Sequence, residues 1–300
     1  MQKEKIKLWI RAIRPFSLTG SAIPVTLGAI LAMNQDRFQF EYFILSIIAI
    51  VLLQASVNLL SDYDDYENKV DTQDSYGSSG VILEKLLTSR QVFRDGIICL
   101  IVGCGIGIFL SYERGIMVLI LGTIGAIAGY SYTRKPLELK YKGFGAPLVF
   151  LLFGPLMVIG SYYVQLQQIS AEAFYISIPV GLLTTAILHA NDIRDIIHDK
   201  KAGIKTLSLV VGINPAKAIY YAMLLFSYIA IIIMCIFKVL PLWSLLCFLT
   251  LPSAFANIRT LYHCEMNSPG LISLDKATGK LQAQFGLIMI ISIIIGILLL

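Results

Sequence analysis

The chain has 300 residues, of which 57% are hydrophobic and only 14% are charged, and its mean hydropathy is +0.76. Soluble domains carry roughly a quarter charged residues, so this composition excludes an ordinary soluble protein. The five cysteines include no C-x-x-C pair, which argues against a zinc site or a disulfide framework. We therefore expect a polytopic membrane protein, whose net charge of +5 reflects its topology rather than affinity for nucleic acid.

Apolar runs close to the ~20 residues that cross a bilayer recur along the whole chain. Nine spans are predicted, at about 17–34, 40–60, 96–112, 115–133, 144–164, 171–190, 215–236, 240–258 and 281–300. Because lipid offers no partner for an exposed backbone and no alternating barrel pattern is present, all nine should be helices. The first span has a basic start but no small-residue cleavage site, so we expect it to stay in the membrane rather than act as a secretory signal.

The placement of Lys and Arg predicts the orientation of these spans, since basic residues favour cytoplasmic loops. With the N-terminus inside, 21 of the 24 basic residues fall on the cytoplasmic side, and only Arg37, Arg114 and Lys238 fall on the other. An odd number of spans then places Leu300 outside. We expect a multi-pass protein of the cell inner (cytoplasmic) membrane, with its N-terminus and long loops in the cytoplasm.

The scarce acidic residues are concentrated, with nine of 19 in segments 62–74 and 192–199, each of which follows an even-numbered span. In the first segment, Asn58, Asp62 and Asp65 are spaced i, i+4, i+7 and share one helix face. Asp64 and Glu67 lie off that face, and we expect them to be solvated. The second segment repeats the pattern with three aspartates at i, i+3, i+7: Asp192, Asp195 and Asp199.

Two acidic faces about 130 residues apart indicate a duplicated helical unit, with pseudo-repeat halves at about 15–135 and 144–300. Sites at the interface of internal repeats are common in membrane folds. Solvated acidic loops would explain neither the spacing nor the duplication. An EF-hand is excluded because Glu67 stands where that loop needs a glycine. A cation transporter remains an alternative, since acids within a membrane mark ion paths, although these acids lie at helix ends.

Binding of a diphosphate through a metal ion accounts for both acidic faces. Mg²⁺ prefers oxygen ligands and fills its coordination shell with water and phosphate oxygens. Carboxylates alone would repel a diphosphate, whereas Mg²⁺ held between the two faces would make the site attract it. Basic side chains at the same level would complete the site: Arg134, Lys135, Arg194, Lys200, Lys201 and Lys205. Arg194 is the first choice among them because Asp192 and Asp195 flank it.

These stretches resemble a known family. NLLSDYDDYENKVDT with GSSGVI, and HANDIRDIIHDKKAGIKTLSLVVG, are similar to the two Asp-rich motifs of the UbiA superfamily of membrane prenyltransferases. The segment YSYTRKPLELKYKGFGAPLVFLLFGPLMVIGSYYVQ and the asparagine of HANDIRD look most like the 1,4-dihydroxy-2-naphthoate branch of menaquinone synthesis. The resemblance implies one all-α domain over 1–300, a bundle of about nine transmembrane helices with a central cavity and cytoplasmic cap loops.

The resemblance also implies roles for single residues. The carboxylates that would bind Mg²⁺–diphosphate and carry the reaction are Asp62, Asp65, Asp195 and Asp199, with Asp71 and Asp192 as further metal ligands. The predicted substrate-binding residues are Asn58, Tyr130, Arg134, Lys135, Asn191, Arg194 and Lys205. Two positions depart from the family pattern. Gly80 stands where many relatives carry arginine, and Asp192 stands where asparagine is usual.

The predicted function is Mg²⁺-dependent transfer of a polyprenyl group from an allylic diphosphate to an aromatic acceptor, with 1,4-dihydroxy-2-naphthoate the first choice. An aromatic side chain such as Tyr130 would shelter the allyl cation by a cation–π contact. Within the superfamily, 4-hydroxybenzoate or a lipid precursor is the alternative acceptor. Outside it, the alternative is a cation-coupled transporter. The expected partners are the two substrates and the bilayer, with no nucleic acid and no obligatory protein partner.

Overall fold

The computed structural model describes residues 2–71, 76–264 and 268–299. Within these ranges the secondary structure is helical, apart from one isolated bridge between Lys142 and Lys205. The helices, in chain order, are α1 (Gln2–Ala12), α2 (Pro15–Ile30), α3 (Phe40–Glu67), α4 (Ser89–Arg114), α5 (Ile116–Tyr130), α6 (Gly145–Leu151), α7 (Met157–Leu166), α8 (Ala171–Arg194), α9 (Ile196–Ala202), α10 (Leu207–Val211), α11 (Ile213–Ile236), α12 (Leu251–His263), α13 (Pro269–Ile272) and α14 (Leu274–Leu298). A π-helical segment, Leu152–Leu156, joins α6 to α7, and a 3₁₀ segment, Leu242–Thr250, leads into α12.

Eight helical segments of the described chain are long and apolar enough to cross a bilayer. They correspond to eight of the nine predicted spans, so the all-α membrane class is confirmed. The ninth predicted span, 115–133, corresponds to α5, which has only 15 residues. At 1.5 Å per residue α5 rises roughly 22 Å, short of the ~30 Å hydrocarbon core, and the count of nine is not confirmed. The predicted outside position of Leu300 falls beyond the described residues.

The core of the bundle is built on α8, which packs against α11 and α14, while α2 packs against α7 and α14. Leu183, Tyr220 and Phe285 are fully buried at these contacts. In contrast, α5 buries none of its residues, and α4 exposes apolar side chains such as Ile101. In water such surfaces would be costly, so α4 and α5 form a side of the bundle suited to lipid.

Gly28 brings α2 and α7 into close contact. A Cβ at this position would lie 2.2 Å from the Val158 carbonyl oxygen and 2.9 Å from the Ser161 Cβ. The Ser161 hydroxyl also donates to the Val25 carbonyl at 2.6 Å, which holds the two helices together. Because the nearest obstacle is backbone, no rotamer change can relieve the overlap.

We expect Gly28→Ala to lower the free energy of unfolding by ~1–3 kcal/mol, the usual cost of overpacking. The matched control is Gly105→Ala in α4, where a Cβ meets nothing within 4 Å. That change should be neutral, or stabilise the helix by up to ~1 kcal/mol. Thermal unfolding of the detergent-solubilised variants, followed by intrinsic fluorescence, checks both. Equal midpoints for the two variants would contradict the close approach of α2 and α7.

Candidate active site

Both Asp-rich segments meet at one cavity of about 540 Å³, enclosed mainly by α2, α3, α4, α5, α8 and the π-helical segment. Five of the predicted metal ligands line it: Asp65, Asp71, Asp192, Asp195 and Asp199. Along α3 the lining changes from Asp65 through Gln54 to Ile50, so the acids occupy one end. The remainder of the wall is mostly apolar, with residues such as Leu119, Leu152 and Leu156. The cavity is therefore charged at one end and hydrocarbon-like at the other.

Asp65 is held by cation and hydroxyl donors from the loop after α5. Lys140 Nζ lies 2.7 Å from Oδ2, and the Tyr141 hydroxyl donates to Oδ1 at 2.5 Å. Burial alone would lower the pKa of Lys140, but the carboxylate of Asp65 and the neighbouring Tyr141 outweigh burial and raise it well above its usual value. Lys140 is therefore a fixed positive charge on the cavity wall.

Asp62 lies behind the cavity wall rather than on it. Its carboxylate accepts hydrogen bonds from the Arg14 guanidinium and from the backbone N–H and hydroxyl of Ser79. Arg14, which does line the cavity, has a φ of 52° in the break between α1 and α2. The contact thus holds a partly buried guanidinium at the acidic end of the cavity. The role of Asp62 as a metal ligand stays a prediction.

The Arg194 guanidinium is fully engaged by protein groups. Nε and Nη2 donate to the Asp195 carboxylate at 2.8 and 2.7 Å, and Nη2 also donates to Asn191 Oδ1. Nη1 donates to Asp275 Oδ2 at 2.7 Å. Sequence reasoning paired Arg194 with its neighbours in α8 and missed Asp275, which comes from α14. Arg194 is only 2% exposed, and in this arrangement it orders the second motif instead of facing the cavity.

Asp192 and Asp199 complete the acidic wall, each about 8% exposed. Burial raises the pKa of Asp199 to about 7, although Lys140 opposes the shift. The ionised form of Asp199 is therefore less favoured than that of an exposed aspartate, and added positive charge nearby would stabilise it. Such a carboxylate suits a site whose charge is completed by a bound cation.

Asn58, a predicted substrate-binding residue, is used to join helices. Its Nδ2 donates to the Ile13 carbonyl at 2.7 Å and to the Ser17 hydroxyl at 2.8 Å. Its Oδ1 accepts from Gln54 Nε2 at 3.2 Å. Both amide protons are thus committed to the start of α2, which leaves none of them for a phosphate.

Arg134 is not among the residues that line the cavity. It forms an ion pair with Asp64 at 3.1 Å and lies over the rings of Phe93 and Tyr130, with its Cζ 4.8 and 5.3 Å from their centroids. The Thr133 hydroxyl donates to Asp64 at 2.9 Å. The expectation that Asp64 is solvated is therefore wrong, because a basic side chain 70 positions along the chain covers it. Glu67, by contrast, is exposed.

Of the other predicted substrate-binding residues, one lines the cavity and two do not. Tyr130 lines the cavity and is 39% exposed. Lys135 and Lys205 are exposed and lie outside the cavity lining, and Lys205 donates its backbone N–H to the Tyr141 carbonyl at 3.0 Å. The basic wall is instead supplied by Arg14 and Lys140, which sequence reasoning counted only as part of the cytoplasmic charge bias.

The segment from Gly77 to Gly80 covers the second motif. A Cβ on Gly77 would lie 3.1 Å from Asp195 Oδ2. Gly80 has a φ of 78°, and a Cβ there would lie 2.6 Å from Arg11 Nη2, so glycine suits this position. Arg11 also donates from Nε to the Ser79 carbonyl at 2.7 Å and pairs with Glu84. Positive charge thus reaches this segment from α1. Asp74, in the first acidic segment, lies outside the described residues.

The donor set fits Mg²⁺ bound together with a diphosphate. Among the described residues, no three His, Cys, Asp or Glu side chains converge into a ready-made metal site. Mg²⁺, however, commonly takes only one or two carboxylates and completes its octahedron with water and substrate phosphates. Five aspartates on one wall, with two cations beside them, suit that mode better than a cage made only of protein ligands.

Comparison with known proteins agrees with this fold. The profile of the UbiA prenyltransferase family matches residues 21–269. The chain is 28% identical to the 1,4-dihydroxy-2-naphthoate octaprenyltransferase of Bacillus subtilis (strain 168), over 98% of this chain and 95% of that protein. It is 30% identical to the UbiA prenyltransferase domain-containing protein 1 homolog of Drosophila melanogaster, over 96% and 79%.

Solved structures give the same fold at lower identity. A UbiA homolog from Archaeoglobus fulgidus, bound to DMAPP and Mg²⁺, superposes with a TM-score of 0.66 at 15% identity, covering 94% of this chain and 98% of that one. The family profile covers more than four-fifths of the chain, and the helical fold agrees with it. The chain belongs to the UbiA prenyltransferase family.

Proposed function

We propose that this membrane enzyme transfers a polyprenyl group from an allylic diphosphate to an aromatic acceptor, with Mg²⁺ and with 1,4-dihydroxy-2-naphthoate as its acceptor. One observation carries the proposal: aspartates from both motifs line a single cavity that continues into an apolar chamber. The charged end suits a metal-bound diphosphate, and the apolar end suits an isoprenoid tail. The naphthoate choice is supported by the similarity to the Bacillus subtilis enzyme over nearly the whole chain.

In this proposal each part of the cavity has a task in breaking the allylic C–O bond. Asp65, Asp71, Asp192, Asp195 and Asp199 would hold Mg²⁺, with Asp62 as a further candidate. The bound metal would supply positive charge against the negative charge that grows on the departing diphosphate. Lys140 and Arg14 add fixed positive charge at the same end, aimed at the leaving group before it departs.

The apolar part of the cavity governs the fate of the allyl cation. Because apolar walls exclude water, they would direct the cation to the aromatic carbon instead of to hydrolysis. Aromatic residues on the lining, Tyr130 and Tyr132 among them, would stabilise it by cation–π contacts worth ~0.5–2 kcal/mol each. A new C–C bond forms, and the ring carbon releases its proton or its carboxyl group.

The positive charge of the loops supports an active site on the cytoplasmic side of the inner membrane. Lys140 and Arg14, which flank the acidic end of the cavity, belong to the segments in which Lys and Arg are concentrated. The cation-coupled transporter finds no comparable support. Below the acids, the described wall is mainly apolar and offers no series of carboxylates for an ion to follow.

The test is a transfer assay with purified protein in proteoliposomes, labelled polyprenyl diphosphate, Mg²⁺ and three acceptors: 1,4-dihydroxy-2-naphthoate, 4-hydroxybenzoate and a glycerol phosphate lipid precursor. We expect prenylated naphthoate as the main product, and no product when EDTA removes the metal. Preference for another acceptor would keep the enzyme class but overturn the naphthoate assignment. Ion flux without any prenylated product would overturn both.

A further inference from the structure

Below its acidic end the cavity has a narrow uncharged layer, defined by Gln54, Gly20, Phe153 and Thr184, all of which line it. The Ser21 hydroxyl donates to Gln54 Oε1 at 3.1 Å, which places the amide of Gln54 beside α2. A Cβ on the adjacent Gly20 would lie 3.2 Å from Thr184 Cγ2 and 3.7 Å from the Phe153 ring. Four segments therefore meet here: α2, α3, the π-helical segment and α8.

The position of Gln54 along α3 shows how far this layer lies from the acidic end of the cavity. Gln54 precedes Asn58 by one turn and Asp65 by eleven residues, which is roughly 16 Å along the helix axis. Its side chain reaches back toward the acidic end, since its Nε2 donates to Asn58 Oδ1 at 3.2 Å. The amide thus lies between the metal-binding carboxylates and the apolar chamber, at the level where an acceptor ring would meet an allyl group anchored by its diphosphate.

A chain of hydrogen bonds sets the orientation of both amides. The main-chain carbonyl of Ile13 can only accept, so the atom of Asn58 that faces it at 2.7 Å must be Nδ2. Asn58 Oδ1 then faces Gln54, which must present Nε2 to it. Gln54 Oε1 is left to accept from Ser21. The backbone carbonyl of Ile13 thus fixes which end of each side-chain amide is nitrogen and which is oxygen, an assignment that is otherwise ambiguous.

In this orientation one N–H of the Gln54 amide has no acceptor among the described residues. An amide nitrogen carries two protons, and Nε2 of Gln54 has one acceptor among the described residues, Asn58 Oδ1. Gln54 is only 8% exposed and lines the cavity, so the uncharged layer of the cavity is the space open to its second N–H. A buried donor without a partner carries a desolvation penalty, which a ligand oxygen at this level would remove.

We propose that the second N–H of Gln54 donates to a ring oxygen of the aromatic acceptor, which makes Gln54 the residue that selects an oxygenated ring. The inference rests on the proposed function and adds to it the position and polarity of the acceptor subsite. Because the free group is a donor, it recognises a hydroxyl, phenolate or carboxylate oxygen through its lone pairs. The flat side of the ring would lie against Phe153, which lines the cavity at this level.

A site of this kind discriminates strongly against a ring that lacks the oxygen. Such an analogue leaves the buried N–H unpaired, whereas the natural acceptor satisfies it. We expect wild-type protein to bind an acceptor analogue with one ring oxygen replaced by hydrogen about tenfold more weakly, as judged by acceptor KM. In Gln54→Met, which keeps length and apolar volume but has no donor, the two acceptors should bind alike.

The experiment is a double comparison, with two acceptors and two proteins, in the proteoliposome transfer assay. For the oxygenated acceptor, Gln54→Met should raise KM about tenfold while the KM for the polyprenyl diphosphate changes less than twofold. The matched control is Ser21→Ala, which removes the hydrogen bond to Gln54 Oε1 but keeps the donor. It should change the acceptor KM by less than twofold, since Ser21 does not line the cavity.

Three results would overturn the inference. Equal KM values of wild-type protein for the two acceptors would do so without any variant, even if Gln54→Met failed to fold. Equal effects of Ser21→Ala and Gln54→Met would make Gln54 a purely structural tie between α2 and α3. A parallel rise of both substrate KM values would place Gln54 away from the acceptor. Absence of any transfer by wild-type protein would instead contradict the proposed function itself.

Discussion

Replacing Asp65 or Asp195 with asparagine is expected to lower turnover by about 10²–10³-fold, the usual effect of removing one electrostatic group from a preorganised site. Asparagine keeps the size of the side chain but removes the charge that would hold Mg²⁺ and balance Lys140 or Arg194. One residue comes from each motif, so similar losses would show that the two motifs act together. Transfer rates at saturating substrates, over a range of Mg²⁺ concentrations, measure the effect.

The matched control for these variants is Glu67→Gln, at the exposed end of the same helix α3. It removes one negative charge near the membrane surface but contacts neither the cavity nor its cations. We expect its turnover to stay within twofold of wild type. If Asp65→Asn and Asp195→Asn both retained wild-type rates at low Mg²⁺, the metal-binding role of the two motifs would be wrong.

Replacing Asp64 with leucine is expected to destabilise the protein instead of disabling its chemistry. Asp64 and Arg134 form a buried pair whose side chains are 10% and 17% exposed. Removing one partner leaves the other charge buried, which typically costs 3–5 kcal/mol. Arg134 belongs to the same loop as Lys140, which is also held by backbone hydrogen bonds from Leu139 and Lys140 to Ser131 and Tyr132. Thermal unfolding midpoints in detergent provide the measurement.

A double variant separates stability from catalysis at this pair. Asp64→Leu combined with Arg134→Leu removes both charges, and replacing a buried ion pair by apolar groups is often neutral or stabilising. We expect the double variant to recover most of the midpoint lost in Asp64→Leu. Arg134→Leu should leave the KM for the polyprenyl diphosphate unchanged. A raised KM would restore Arg134 to the substrate-binding role that the sequence predicted.

Asp64 and Asp65, two neighbouring carboxylates of α3, show how much a local sequence pattern can predict. Helical periodicity separates Asp65, on the face of Asn58 and Asp62, from Asp64, and in the structure the two side chains contact different groups. Periodicity does not predict which groups contact each face of the helix. Asp65 lines the cavity and contacts Lys140, whereas Asp64 is covered by Arg134. The predicted halves of the chain, 15–135 and 144–300, stay a prediction.

The sequence by itself determined the membrane class, the helical spans and the two acidic faces, because hydropathy and helical spacing are properties of adjacent residues. Only the tertiary structure decided which charges meet. Arg14 contacts Asp62 across 48 positions, Lys140 contacts Asp65 across 75, and Arg194 contacts Asp275 across 81. Such pairs depend on how whole helices pack. The cytoplasmic segments contain many lysines and arginines, and the local sequence does not distinguish which of them pairs with a given aspartate. Helix packing decides the pairs.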